Sequence, residues 1–132
     1  MITNSAHIPA YRKFGDDFCI SAVSDINETA ARETAKRHGI PNWYKDAEEM
    51  LEKEKPDLVS VCVPNCFHKK YTLMALNSGA NVLCEKPLAF TYADAKEMFD
   101  TAEKNGRLLM ACQSMRFTPD RLAAKEYIDK NG

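Results

Sequence analysis

An α/β fold built on a doubly wound parallel sheet is predicted by three observations. Short apolar runs of strand length alternate with segments of helical period along the 132 residues. The joints are short, about two to six residues, as crossovers in a parallel sheet allow. Strand candidates such as Val82-Leu83-Cys84 are apolar without alternation, which fits a strand covered on both faces.

Each element has its own signal. Ser5 is placed to cap a helix over 5–14, where Ile8, Tyr11 and Phe14 recur every third residue and Pro9 falls in the first turn. Gly15-Asp16-Asp17 breaks it, and Phe18 to Val23 reads as a strand ending at Ser24-Asp25. Asn27 caps a helix over 28–38 that stops at Gly39, a typical left-handed cap. Pro41 opens an extended piece from Asn42 to Tyr44. Asp46 begins a helix to about Glu54, with Met50 and Leu51 facing inward.

Pro56 separates that helix from a strand over Leu58 to Val63. After Pro64-Asn65 a helix runs over 67–78 with Tyr71, Met74 and Ala75 on one side, and it ends at Gly79. Asn81 to Cys84 is the next strand, and it feeds directly into Glu85-Lys86-Pro87. Thr91 to Asp94 has the form of a capping box, and the helix behind it should bury Tyr92, Ala95, Met98, Phe99 and Ala102 before Gly106. Leu108 to Cys112 is a last strand, and Thr118-Pro119 supplies a cap and a first-turn proline for a helix ending near Asn131-Gly132.

Composition narrows the class. A hydrophobic share of 45% with 28% charged residues fits a globular chain long enough for one domain. The net charge of −1 and a longest basic run of only Lys69-Lys70 argue against nucleic acid and anionic membranes as partners. No apolar stretch approaches the roughly 20 residues of a membrane span. The first residues lack the regions of a signal peptide, so the expected location is cytoplasmic. Five cysteines, an odd number without C-x-x-C, read as buried reduced thiols and not as a metal site. His7 and His38 read as surface residues.

Chemistry gathers at the strand ends, where open α/β sheets bind ligands. An acid, a base and a φ-locked proline follow the strand at 81–84, and Lys86 there is placed to donate or accept a proton. On spacing alone a strand end with a solvated charge pair is the better fit. Asp25 ends the first strand. In a dinucleotide-binding fold an acid there accepts hydrogen bonds from the adenosine ribose and repels a 2′-phosphate, which favours NAD over NADP. Taken alone, it also fits a helix cap. Pro64, Asn65 and His68 lie where they can contact a cofactor, or else form a turn, a cap and an exposed ring. Arg116 suits an anionic or polyhydroxylated ligand as well as an ion pair within the domain. Metalloprotease, serine-hydrolase and Walker motifs are missing from the sequence.

The succession His-Ile-Pro-Ala-Tyr, Ser-Asp-Ile-Asn, Val-Pro-Asn-Cys-Phe-His, Gly-Ala-Asn-Val-Leu-Cys-Glu-Lys-Pro and Arg-Phe-Thr-Pro, in this order, resembles the nucleotide-binding half of the Gfo/Idh/MocA oxidoreductases. The resemblance covers nearly the whole chain, and Glu-Lys-Pro is its most specific part. It implies a Rossmann-like domain over 1–132 and an NAD-dependent dehydrogenase acting on sugars, cyclitols or their derivatives. By the resemblance Lys86 is the catalytic lysine, Glu85 and Pro87 shape the nicotinamide end, Asp25 binds the adenosine ribose, and Pro64, Asn65 and His68 line the cofactor cleft. Arg116 joins them as a ligand-binding candidate.

Two departures from the family pattern stand out. Its first strand and G-x-G-x-x-G loop have no counterpart in Met1-Ile2-Thr3, and the substrate domain expected after Gly132 is absent. The lost strand would be central, leaving the strands at 18–23 and 58–63 about 9–10 Å apart, two interstrand spacings. The sheet is then expected to close up, to take a strand from another chain (a second copy or another partner), or to belong to a longer protein. Two further readings follow: a non-catalytic truncated module that associates through its open sheet, and a Rossmann reductase acting on a carbonyl or imine.

Overall fold

The computed structural model describes residues 2–132. The chain opens with a widened, π-helical turn over Thr3–His7 that runs into α1 (Ile8–Lys13). Then come β1 (Ala22–Ser24), α2 (Glu28–His38), β2 (Asn42–Tyr44), α3 (Ala47–Glu54) and β3 (Leu58–Val61). A 3₁₀ turn, Asn65–Phe67, leads into α4 (His68–Asn77), β4 (Asn81–Cys84) and α5 (Tyr92–Lys104). The chain ends with β5 (Leu109–Ala111), a 3₁₀ turn (Ser114–Phe117) and α6 (Pro119–Asn131).

All strand pairs are parallel, but they form two sheets. β1 pairs with β2, and β3-β4-β5 form the other sheet with Val61, Cys84 and Ala111 in register. The expected gap is therefore there: among the described residues β1 and β3 share no ladder, and the sheet has not closed. Helix α1 spans the break. Its Tyr11 hydroxyl meets Ser60 Oγ on β3 at 2.7 Å, while Ile8 packs on Ala35 and Ile40 beside the two-stranded sheet.

Local signals explain the helix ends. Asn27 Oδ1 accepts from the Ala30 amide, Asp46 Oδ1 from Glu48 and Glu49, and Thr91 Oγ1 from Asp94. Gly39 closes α2 at φ +56°, a conformation glycine adopts without strain. Thr118 differs from expectation, because its hydroxyl donates to Met115 O and caps nothing.

Other expectations are corrected. The helix that should start at Ser5 begins at Thr3, so Pro9 lies past its first turn, and the wider turn before it accommodates the missing N–H. Its inner face is Asn4, His7, Ile8 and Tyr11, not Ile8, Tyr11 and Phe14; Phe14 is exposed. β1, β3 and β5 are shorter than their apolar runs, since ladder pairing ends where a neighbour does. On α5 Met98 and Ala102 are buried, whereas Tyr92 and Phe99 face outward because no element covers that side. The thiols also divide: Cys84 is buried, Cys62 and Cys112 half-buried, and Cys19 and Cys66 exposed, all five free. No helix among the described residues is long and apolar enough to cross a membrane.

Candidate active site at the strand ends

Parallel pairing puts the carboxyl ends of β3, β4 and β5 on one edge. The Glu85 amide donates to Val61 O at 3.0 Å, and the Cys112 amide to Cys84 O at 2.7 Å. Residues one step beyond the ladder thus stand side by side. Strand alternation turns Glu85 and its neighbours Cys62 and Cys112 to the face opposite Cys84.

Glu85 is the best-connected group there, its side chain only 13% exposed. Oε1 lies 2.9 Å from His7 Nε2, Oε2 accepts from the Lys86 amide at 3.1 Å, and the Cys112 thiol donates as well. Burial alone would push this carboxyl up. The donors outweigh it and hold the group below its ordinary value, so Glu85 is an acceptor-only carboxylate near neutral pH. Cys112 is pushed the other way, first by burial and then by the Glu85 charge. Burial also takes the Cys62 thiol up to about 11. Both thiols stay protonated, and that of Cys112 serves as a weak donor to Glu85.

Lys86 follows, exposed, with a cis peptide bond to Pro87. The turn is held from the other side by His68. That ring is 1% exposed, with Nδ1 2.7 Å from Pro87 O and Nε2 3.0 Å from Val63 O. His68 is therefore no lining residue of an open cleft. It is a buried brace between the ends of β3 and β4, because the first turn of α4 directs it under the turn.

Pro64 and Asn65 are exposed at the same edge, Asn65 opening the 3₁₀ turn. Arg116 is exposed in the turn after β5, beside a shallow depression lined by Leu109, Met110, Gln113 and Phe117. Asp25 ends β1 in the other sheet. Its amide donates to Tyr44 O at 3.1 Å, and its Oδ1 accepts from the Asn27 amide at 2.8 Å. The structure thus gathers Pro64, Asn65, Glu85, Lys86, Pro87 and Arg116 at one sheet edge and leaves Asp25 on the neighbouring sheet.

Sequence reasoning missed His7, which is 7% exposed and not on the surface; His38 is half-buried too. The available signal was the spacing of residues 4, 7, 8 and 11, one stripe of a helix. Donor atoms of His7, Glu85 and Cys112 lie within 4.8 Å of one another, a spacing compatible with a metal ion, but they already satisfy one another by hydrogen bonds.

Known proteins share this architecture. Residues 1–113 match the Gfo/Idh/MocA family model, an oxidoreductase family with an NAD-binding Rossmann fold. The chain is 42% identical over 113 residues to D-glucoside 3-dehydrogenase of Escherichia coli (strain K12), covering 86% of this chain and 32% of that protein. An NAD binding oxidoreductase from Klebsiella pneumoniae superposes with a TM-score of 0.84 at 31% identity, over 95% of this chain and 35% of the other. Levoglucosan dehydrogenase, solved in complex with NADH and levoglucosan, superposes at 0.83 with 29% identity, over 95% and 36%. The chain spans about a third of the length of the relatives it matches. It belongs to the Gfo/Idh/MocA oxidoreductase family, and its fold is that family's NAD-binding Rossmann fold.

Proposed function

We propose that this chain, as a single domain over 1–132, is the cofactor-binding half of an NAD-dependent dehydrogenase that oxidises a ring hydroxyl of a sugar or cyclitol. The observation that carries this is the Glu85-Lys86-Pro87 turn, in which an exposed lysine stands at the sheet edge on a backbone held from both sides. The relative at 42% identity is a glucoside dehydrogenase, and a structural neighbour holds both NADH and a sugar-derived ligand.

The residues fit the cofactor at two points. Asp25 is a carboxylate at a strand end with one oxygen already committed to the Asn27 amide, and its charge suits a ribose diol better than a 2′-phosphate. Glu85, Pro87, Pro64 and Asn65 would border the nicotinamide half, with His68 supporting them from beneath and Arg116 meeting polar ligand groups at the rim. NAD held by these residues would supply the hydride acceptor for the carbinol carbon. Lys86 Nζ would take the hydroxyl proton as the C=O bond forms, and return it in the reverse direction. A cytoplasmic location agrees with five free thiols. Among the described residues β1 and β3 each have one edge without a ladder partner, which suits completion by a further strand, from a second copy or another partner.

Titration with NADH, followed by its fluorescence, should give micromolar binding. Absence of binding at millimolar cofactor would favour the non-catalytic module. In the full-length protein Lys86→Ala should lower kcat by about 10²- to 10⁴-fold, the scale of general acid–base catalysis. Unchanged turnover would remove Lys86 from that role.

A further inference from the structure

We infer that His7 is a positioning residue for Lys86, acting through Glu85. The inference rests on the reading of Lys86 as the proton-transfer group. The path is short and each step is a hydrogen bond: His7 Nε2 to Glu85 Oε1 at 2.9 Å, and Lys86 N to Glu85 Oε2 at 3.1 Å. With Oε1 pinned, the direction of Oε2 is set, and so is the amide that donates to it. On the far side His68 holds Pro87 O at 2.7 Å. The turn at Lys86 is thus held from α1 through Glu85 and from α4 at the Pro87 carbonyl, while the Lys86 side chain is exposed.

A packing role alone would not call for histidine. Its neighbour Ile8 already fills the apolar contact with Ala35 and Ile40. The imidazole faces a carboxylate whose other donors come from the Cys112 thiol and the Lys86 backbone. Without the His7 N–H the Glu85 side chain can turn toward water, and the Lys86 amide then loses its acceptor.

His7→Leu and His7→Gln separate the possibilities, since Gln keeps a donor near the Nε2 position. Amide hydrogen exchange on the chain provides a readout independent of turnover, with the Val82 amide, which donates to Leu108 O at 2.8 Å, as the internal reference. His7→Leu should speed Lys86 exchange about tenfold while Val82 is unchanged, and His7→Gln should restore slow exchange. In the full-length protein, with methyl β-D-glucopyranoside and NAD⁺, kcat should fall for His7→Leu with the KM for NAD⁺ unchanged, and recover for His7→Gln. Unaltered Lys86 exchange, or exchange that rises in step with Val82, overturns the inference. A Lys86→Ala protein that keeps full turnover would instead overturn the catalytic reading and leave the exchange result standing.

Discussion

The two sheets are supported very differently. β3, β4 and β5 rest on a core that includes Leu51, Val61, Leu76, Val82 and Met98, with Leu76 and Met98 fully buried. β1 and β2 rest on Ile8, Ala35 and Ile40, and no residue of either strand is fully buried. The residues proposed for proton transfer stand on the well-packed half, and the one proposed for the adenosine ribose stands on the thin half. Groups that must hold a reacting geometry gain from rigid support, whereas a ribose contact tolerates more play.

Stability mutants test this contrast most strongly. Leu76→Ala should cost about 3–4 kcal/mol and Ile40→Ala about 2, because the smaller cluster collapses more easily around a deletion. Urea melts read both, and equal losses would erase the distinction. Next in size, Asp25→Ala in the full-length protein should raise the KM for NAD⁺ about tenfold at constant kcat, as loss of a uniform binding contact does. A fall in kcat would tie Asp25 to the reacting end.

The smallest effect is a pH dependence confined to the packed half. The folded Glu85 carboxyl lies below its ordinary 4.5, so its stabilisation is full above that value and is lost as pH falls through the folded one. The advantage of the native protein over Glu85→Gln should therefore shrink on acidification below 4.5. A difference that stays constant with pH would mean that the carboxylate charge contributes nothing.

Much of the fold was legible locally. Asn27 and Gly39 bracket α2, Asp46 starts α3, Thr91 starts α5, and the strand at 81–84 lies as read. These signals act within one turn or one strand, so the residues carry them. Of the candidate site, the position of the Glu85-Lys86-Pro87 turn at the carboxyl end of β4 was legible. The rest was hidden where burial depends on distant elements: His7 read as a surface residue, His68 as a cleft residue or an exposed ring, and Tyr92 and Phe99 as core.

The order of strands and helices and their parallel sense follow from spacing, caps and apolar runs in the sequence, whereas a role for the residues at the β4 end came from the family resemblance. Only the tertiary structure decided that the strands divide into two sheets, that α1 bridges them, and that two histidines brace the Lys86 turn. The reason is range. Caps and periods act over a few residues, while the bonds from His7 to Glu85 and from His68 to Pro87 join positions 78 and 19 apart and exist only once the helices have packed.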